Sequence, residues 1–477
     1  MAVQIRPAAS LAKCGLLNNE RSTCIQFSAE QIELCLTILQ QIADDPSQID
    51  QHDRFKSLVA KIYKQGRKAQ NDRKRQQIVN HDQHLREQTI LLQHKRGQNA
   101  PPLLPSEATS ELQRANHCYS CKQSYTSLHF FYHTLCPACA ELNYQKRQQR
   151  ADLTGRVAVV TGGRIKIGYQ LVLRLLRDGA RVIATTRFAH DCAQRLKAEP
   201  DSHEWLDRVQ IYGLDLRMLP AVEQFIAHLH ATEPSIDLLI NNAAQTIKRP
   251  YEFYRPLIEA ERQALNEDQH ILVHHEQQHL DLLKQSQSYA LLGTGQHVID
   301  HTRHDYDGLP LDYREHNSWS LLLDQIDTRE LLEVQLINAV APFMLNSQLK
   351  PLLLRSPFAR RFIINVSAME GQFQRASKTA RHPHTNMAKA ALNMLTRTAA
   401  QDYAQTGIFM NSVDTGWITD ENPYAKQQML QNEHGFYPPL DAIDGMARIY
   451  DPIAQGINHA DEPLFGHFLK DYAPFPW

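Results

Sequence analysis

The chain has 477 residues, of which 42% are hydrophobic and 22% charged, and its formal net charge is −1. This composition predicts a globular protein of two to three domains, and it excludes a membrane-spanning one because no apolar run approaches the roughly 18 residues that a span needs. The N-terminus lacks the charged start, apolar core and cleavage site of a secretory signal, so we expect a cytoplasmic protein. Four of the eight cysteines are scattered, which argues against a secreted disulfide framework.

Residues 1–95 predict a helical N-terminal region. Ser28 and Gln31 have capping-box spacing, and apolar residues follow them at helical intervals. Six basic residues lie between Lys64 and Arg75, a run that favours a solvated helix face over a nucleic-acid contact. The Pro-rich and polar residues 96–112 predict a linker.

Two Cys-x-x-Cys pairs dominate residues 113–145. Cys118 and Cys121 form the first pair and Cys136 and Cys139 the second, with fourteen residues between them. Four thiolates at this spacing suit a tetrahedral Zn²⁺, and a closed four-cysteine site leaves no coordination position for catalysis. We therefore expect a structural zinc module, with a redox pair as the less favoured alternative. Such a module could also present a surface to a protein partner.

A strand, a glycine-containing turn and a helix follow in order. The apolar stretch Val157–Val160 predicts a strand, the segment TGGRIKIG covers residues 161–168, and a helix with apolar positions leads to a second strand ending near Thr186. A turn of this kind points backbone N–H groups and the positive end of a helix dipole at a pyrophosphate. The glycines alone are a weak signal, because Gly162, Gly163 and Gly168 would also serve a plain turn.

Six motifs in one order make residues 151–477 resemble the short-chain dehydrogenase/reductase family. The resemblance implies an α/β fold, a Rossmann-type doubly wound parallel sheet, with a dinucleotide bound at the carboxyl ends of the strands. By this resemblance the acid beside the adenine is Asp215, and the phosphate loop consists of Thr161, Gly162, Gly163, Arg164, Lys166, Ile167 and Gly168. Asn242 and Ala243 belong to the NNAG segment, Asn338 is the helix asparagine and Lys389 is the lysine of YxxxK. Thr415 and Gly416 belong to the segment that covers the nicotinamide. Family members pair their subunits through helices flanking the sheet, so the resemblance also implies a homo-oligomer.

Cofactor choice follows from charge. NAD(H) binding usually needs an acid after the second strand, whereas an arginine there accepts the 2′-phosphate of NADP(H). Here Arg187 follows Thr186, Lys166 stands where the family has a glycine, and Arg164 lies two residues before it. NADP(H) is therefore favoured over NAD(H). The alternative is that Lys166 fills the loop and hinders the cofactor.

The expected catalytic groups are incomplete. Thr385 stands where the family has its tyrosine and Ala368 where it has its serine, while Ser367 comes one place early and is expected on the other side of the strand. A threonine hydroxyl is a poor proton donor near neutral pH, but a histidine is not. His384 or His382 could therefore replace the tyrosine as general acid, with Lys389 and Asn338 organising ribose and water. The competing interpretation is that both histidines only cap or pack a loop.

An insertion, about 251–325, separates Asn242 from Asn338 and is expected to form a lid over the substrate end. Within it His275, Glu276 and His279 match HExxH on a predicted helix, but the polar residues between them and the 24 histidines of the chain make a metalloprotease the weaker reading. A second cluster in the insertion is expected to add substrate contacts: Arg314, Glu315, His316 and Asn317.

Two classes of function fit this sequence. The first is an NADP(H)-dependent oxidoreductase that acts on a small carbonyl or alcohol substrate. The second is an inactive NADP(H)-binding sensor or scaffold, whose zinc module and basic arm bind a partner. Loss of the tyrosine and serine favours the second class, and retention of Asn338, Lys389 and the phosphate loop fits either.

Overall fold

A computed structural model describes residues 27–97, 110–263, 273–275, 299–305, 308–374 and 378–477. The chain divides into two compact units, one ending at Gln77 and the other beginning at Ile78.

Helix α1 (Ala29–Asp44) begins with the predicted capping box, since the Ser28 hydroxyl accepts from the Gln31 amide and the Gln31 side chain accepts from the Ser28 amide. Helix α2 (Asp53–Glu87) follows. Among the described helices, not one has the length and apolar character to cross a membrane.

The cysteine pairs lie in a small module of strands and helices. Its elements are α3 (Ile90–Lys95), β1 (Ser110–His117), β2 (Ser124–Leu128) and α4 (Pro137–Gln148). Strands β1 and β2 pair antiparallel. Cys136 is the N-cap of α4 and Pro137 its first residue, where a proline removes no helical hydrogen bond. Most of the predicted linker, residues 98–109, lies outside the described residues.

A nine-stranded sheet is the centre of the described part of the second unit. Its strands are β3 (Val157–Thr161), β4 (Arg181–Thr186), β5 (Val209–Gly213), β6 (Leu238–Asn241), β7 (Val273–His275), β10 (Arg361–Ser367), β11 (Ile408–Asp414), β12 (Phe468–Lys470) and β13 (Ala473–Phe475), and β8 (Ile299–His304) pairs with β9 (Pro310–Asp312) in a separate ribbon. The order is β13-β12-β11-β10-β6-β3-β4-β5-β7, and every pairing except β12 with β13 is parallel. The predicted doubly wound parallel sheet is confirmed.

Helices cover both faces of this sheet. The described helices that accompany the sheet are α5 (Lys166–Arg177), α6 (Ala189–Lys197), α7 (Leu219–Thr232), α8 (Tyr251–Glu261), α9 (Thr328–Gln335), α10 (Ala341–Gln348), α11 (Lys350–Leu354), α12 (Pro383–Ala404), α13 (Tyr424–His434) and α14 (Ala442–Asn458). Because side chains alternate along a strand, Ala158 and Val160 pack with α5, α6 and α14, whereas Val159 packs with α7, α10 and α12. The sheet therefore has one buried apolar core on each of its two faces.

The cysteine module packs on the C-terminal part of the sheet domain. The Tyr132 hydroxyl donates to Asp444 at 2.6 Å, and Arg147 lies 2.6 Å from Asp441 and 2.9 Å from Asp444. Leu440 and Ile418 belong to the same apolar cluster as the buried residues of the module. The module therefore completes its core with residues from the far end of the chain.

Part of the predicted insertion extends the sheet. Strand β7 pairs with β5 at the edge, so His275 ends a strand and does not begin the helix that the HExxH match requires. Glu276 and His279 lie outside the described residues. A residue in an extended strand lies on no helical face, so the helix predicted for the HExxH match is not found at His275.

Candidate functional site

The glycines of the phosphate loop lie so close to neighbouring atoms that a side chain would not fit at these positions. A Cβ on Gly168 would lie 2.0 Å from the Gly162 carbonyl oxygen and 2.5 Å from the side-chain nitrogen of Asn242. Gly162 has a positive φ of 74°. The Asn242 side chain donates to the carbonyls of Thr161 at 3.0 Å and Gly162 at 3.1 Å, which holds the end of β3 against the end of β6. The loop can therefore bend directly into α5.

Lys166, which stands where the resemblance predicts a glycine, has a left-handed backbone. Its φ is +53°, a left-handed conformation that costs a residue with a side chain about 1 kcal/mol or more. It is also the first residue of α5, after Ile165 in an extended conformation. The turn therefore places a cationic side chain at a helix N-terminus, where anions bind.

A cavity of about 830 Å³ runs along the carboxyl ends of the central strands. Its wall contains most of the predicted site residues: Gly162, Arg164, Lys166, Ile167, Gly168, Arg187, Asp215, Asn242, Ala243, Ser367, His382, Thr385, Lys389, Thr415 and Gly416. Four predicted residues, Thr161, Gly163, Asn338 and His384, lie outside the wall. Thr161 contacts the wall residue Ala243, because its hydroxyl accepts a hydrogen bond from the Ala243 amide at 3.0 Å.

One end of the cavity is cationic and aromatic. The Arg187 guanidinium lies 4.6 Å from the centre of the Tyr254 ring, which in turn stacks on Phe188 at 5.4 Å. Burial alone would raise the pKa of Tyr254, but the charge and hydrogen bond of Arg187, together with the charges of Arg249 and Arg164, lower that pKa below its usual value. Arg164, which also lines this end, is paired with Asp191 at 2.6 Å.

Asp215 is held at the same end by a neighbouring arginine. Arg217 contacts both carboxylate oxygens of Asp215, at distances of 2.5 to 3.1 Å. Burial favours the neutral acid, yet the Arg217 charge and hydrogen bonds lower the pKa of Asp215 to about 2. The carboxylate is therefore ionised and fixed in orientation.

Lys389 lies at the other end of the cavity. Its ammonium donates to the Val366 carbonyl at 2.7 Å. Burial lowers the pKa of Lys389 to about 8, and the nearby Glu370 only partly opposes this change. Thr385, one turn earlier on α12, also lines the cavity, and its hydroxyl has no hydrogen-bond partner among the described residues. Both Ser367 and Ala368 contribute to the wall beside them, and the Ser367 hydroxyl is buried without a hydrogen-bond partner among the described residues.

The two candidate histidines lie in different surroundings. His384 is buried away from the cavity wall, and its Nε2 atom lies 3.2 Å from the Glu330 carboxylate. His382 forms part of the wall, where its ring stacks on Trp319 at 3.9 Å with an angle of 6° between the planes. Of the two histidines, His382 is the one that lines the cavity, and the role of either as proton donor stays a prediction.

Asn338 lies in a widened helical turn, Leu336–Val340, between α9 and α10. Its side-chain oxygen accepts from the Gln245 amide at 2.8 Å and its nitrogen donates to the Gln245 carbonyl at 3.1 Å. It therefore fixes the loop after β6, and Gln245 is the member of this pair that lines the cavity. Such wide turns often mark functional sites.

Four cysteines of the module are brought together. The sulfur atoms of Cys118, Cys121, Cys136 and Cys139 lie within 4.8 Å of one another, and those of Cys121 and Cys136 are 3.7 Å apart. Tetrahedral Zn²⁺ with Zn–S bonds of about 2.3 Å would separate its sulfur ligands by roughly 3.8 Å. The donor set therefore fits a structural zinc ion.

Two family models match the sheet domain. The model described as short chain dehydrogenase matches residues 156–264, and the model described as Enoyl-(Acyl carrier protein) reductase matches residues 320–436. The chain belongs to the short-chain dehydrogenase/reductase family. The two matched stretches contain the phosphate loop and Lys389, and residues 265–319 between them fall within the predicted insertion.

Named relatives differ in how much of the chain they cover. Uncharacterized protein R665 of Acanthamoeba polyphaga mimivirus is 33% identical over 353 residues, which are 70% of this chain and 71% of that protein. Human retinol dehydrogenase 13 is 33% identical over 97 residues, 20% of this chain and 28% of that protein. Among solved structures, NADPH-bound carbonyl reductase from chicken fatty liver has 19% identity and a TM-score of 0.42, covering 68% of this chain and 99% of that one.

In this short-chain dehydrogenase/reductase, Thr385 and Ala368 line the cavity at the positions where the sequence resemblance predicts the family's tyrosine and serine. Trp319 and His382 form a stacked pair of rings in the same wall. The expected contacts from the insertion are also displaced, because Arg314 binds Asp312 at 2.5 Å and residues 314–317 do not line the cavity. Trp319 is the residue that this segment contributes.

Three further cavity residues escaped the sequence analysis. Tyr254 lies in the insertion, Tyr119 lies inside the first Cys-x-x-Cys pair, and Asp414 ends β11. Burial, reinforced by Glu370, raises the pKa of Asp414 to about 6. The sequence pointed to Asp414, because it is the last residue of an apolar strand and directly precedes Thr415 and Gly416, whereas no pattern pointed to the two tyrosines.

We predict that Lys389→Met changes how stability depends on pH. Burial lowers the pKa of Lys389 from 10.5 to about 8, so the unfolded chain binds this proton more tightly, and the buried charge destabilises the fold below pH 8. As pH rises from 8 to 10.5 this penalty disappears. The stability of the variant relative to the parent should therefore fall by about 3 kcal/mol between pH 7 and pH 10.5, measured by urea unfolding. The exposed Lys68→Met is the control, and a flat difference for Lys389→Met would contradict the prediction.

Proposed function

We propose that the chain is an NADP(H)-dependent oxidoreductase that interconverts a carbonyl and an alcohol. The observation that carries the proposal is the cavity itself: Arg187 and Tyr254 line one end, and Lys389 lies at the other. A bound dihydronicotinamide would supply the hydride. The residues of the chain would then bind the dinucleotide, orient it and provide the proton.

Charge at the Arg187 end supports NADP(H) over NAD(H). Arg164 and Arg187 both line the cavity wall at this end, where Arg164 pairs with Asp191 and the Arg187 guanidinium lies against the Tyr254 ring. A planar guanidinium binds a phosphate through two hydrogen bonds, and it binds a ribose hydroxyl less strongly. Lys166 at the start of α5 adds positive charge where a pyrophosphate would lie.

His382 is the proton donor that fits the remaining geometry. A general acid must reach the substrate oxygen, and His382 is the histidine of the α12 N-terminus that lines the cavity. Stacking on Trp319 fixes its ring, while the left-handed backbone of His382, with φ of +43°, turns the chain into α12. Lys389, about two helical turns further along and with its ammonium on the Val366 carbonyl, adds positive charge to the same cavity wall.

A second candidate function is nucleotide binding without turnover. It is favoured by Thr385 and Ala368, which leave the wall without the phenol and hydroxyl that the family uses. In that case His382 and Trp319 would form a binding surface only. Titration with NADPH followed by a panel of aldehydes and ketones separates the two, because binding with no cofactor oxidation across the panel favours the sensor.

We also propose that the four cysteines hold one structural zinc ion per chain. We expect elemental analysis of the purified protein to give close to one zinc, and Cys136→Ser to lose most of it together with thermal stability, because removing one ligand opens a closed tetrahedral site. Cys35→Ser, at an exposed position in α1, should keep both. Markedly less than one metal per parent chain would contradict the zinc site.

We predict that Arg187→Met separates the two cofactors. Loss of a charge-assisted hydrogen bond, worth about 1.5–3 kcal/mol, should weaken NADPH binding by roughly 10- to 100-fold and leave NADH binding within about twofold. Calorimetric titration measures both dissociation constants. Arg249→Met is the matched control, since Arg249 also stacks on an aromatic ring of α8 but lies outside the cavity wall. Equal loss for both cofactors would assign Arg187 a purely structural role.

We predict that His382→Gln lowers kcat by about 10²-fold or more, because general acids contribute roughly 10² to 10⁴. Affinity for NADPH should stay within a few-fold, and the kcat–pH profile should lose its histidine limb. His384→Gln is the comparison, since His384 contacts Glu330 outside the cavity and its loss should affect stability more than turnover. Full activity in His382→Gln would remove it from the mechanism.

A further inference from the structure

The nicotinamide-covering segment lacks its usual stiffening residue. Thr415 precedes Gly416 where the family usually has a proline, so φ at position 415 is not locked by a ring. Gly416 has a positive φ of 78°, a conformation that its missing side chain makes easy to enter and to leave. The segment 415–418 therefore needs other contacts to keep one conformation above the cavity.

Tyr119 supplies such a contact from the cysteine module. Its hydroxyl oxygen accepts a hydrogen bond from the Trp417 amide at 2.9 Å, and the tyrosine itself forms part of the cavity wall. A Cβ built on Gly416 would lie 3.5 Å from the same hydroxyl. A residue between two metal-ligating cysteines thus touches the segment that covers the cofactor.

The backbone of the first cysteine pair holds Tyr119 in place. Its amide donates to the Thr134 carbonyl at 2.9 Å, and the Cys118 amide donates to the Gln123 carbonyl at 2.9 Å. Lys122 closes the turn by donating to the Cys118 carbonyl at 3.1 Å. A metal bound to Cys118 and Cys121 would fix both ends of this turn, and therefore the direction of the Tyr119 side chain.

Two further contacts join the module to the cavity. Ile418 is buried in the apolar cluster that contains Cys118, and the Lys95 ammonium of α3 donates to the Ile418 carbonyl at 3.1 Å. Ile167 of the phosphate loop also packs against this cluster. The module therefore contacts both the phosphate loop and the nicotinamide-covering segment.

We propose that Tyr119 is a positioning residue that links the four-cysteine metal site to dinucleotide affinity. With the metal bound, Tyr119 keeps the Trp417 amide in place and holds segment 415–418 in the conformation that receives the nicotinamide. Without the metal, the first cysteine turn loosens and the segment loses this hydrogen bond. The inference rests on the proposed dinucleotide binding for its functional consequence, but the contact itself is tested independently.

The test compares Tyr119→Phe with Tyr125→Phe in the full-length, metal-loaded protein. Tyr125 also accepts a hydrogen bond in the module, from the Asn116 side chain at 3.2 Å, but it lies outside the cavity wall. Hydrogen–deuterium exchange is followed at the Trp417 amide, NADPH affinity by calorimetry and metal content by elemental analysis. We expect Tyr119→Phe to keep its metal, to speed exchange at Trp417 and to weaken NADPH binding about three- to tenfold. Tyr125→Phe should change none of these.

Removal of the metal from the parent protein by a chelator should reproduce both effects of Tyr119→Phe, and adding zinc back should reverse them. If Tyr119→Phe fails to fold, Lys95→Met tests the same segment from α3 and should speed exchange at residues 417 and 418. Unchanged exchange in every variant would overturn the contact. Faster exchange with unchanged NADPH affinity would overturn the link to the cofactor, and a parent protein that binds neither dinucleotide would instead overturn the proposed function.

Discussion

The cavity depends on one close approach, where the end of β3 and the start of α5 meet against the Asn242 side chain that follows β6. Gly168 lies so near Gly162 and Asn242 that no side chain fits there. This approach directs the N-terminus of α5 into the space above the sheet, and the parallel strands place the remaining polar groups along the same edge. A wider turn would tilt α5 away from the cavity and remove its dipole from the site.

Sequence patterns located the parts of the site that depend on local geometry. The glycine turn, the strand before it and Lys389 on its helix follow from short-range spacing, and the family resemblance supplied the order in which they combine. The four cysteines follow from ligand chemistry, which restricts spacing strongly. In each case a few neighbouring residues determine the structure, so the sequence carries the signal.

Long-range packing limited the other predictions. His384 and His382 are two residues apart, yet only contacts with Glu330 and Trp319, more than fifty residues earlier in the chain, decide which ring reaches the cavity. Tyr119 reaches the site across nearly three hundred residues, because the module packs on the C-terminal helix. Helical periodicity and residue propensity carry no information about either of these long-range contacts. The helix predicted at His275 was wrong for the same reason, because residues 273–275 pair with the distant strand β5.

The docking of the cysteine module also has a consequence for folding order. Its buried Tyr132 hydroxyl bonds to Asp444, 312 residues later in the chain, and Leu440 completes its apolar cluster. During synthesis the module emerges long before these partners, so its apolar face stays exposed while most of the sheet domain is translated. Contacts of such high sequence separation slow folding and expose surfaces to aggregation. Early metal capture by the four cysteines would give the nascent module local order during that interval.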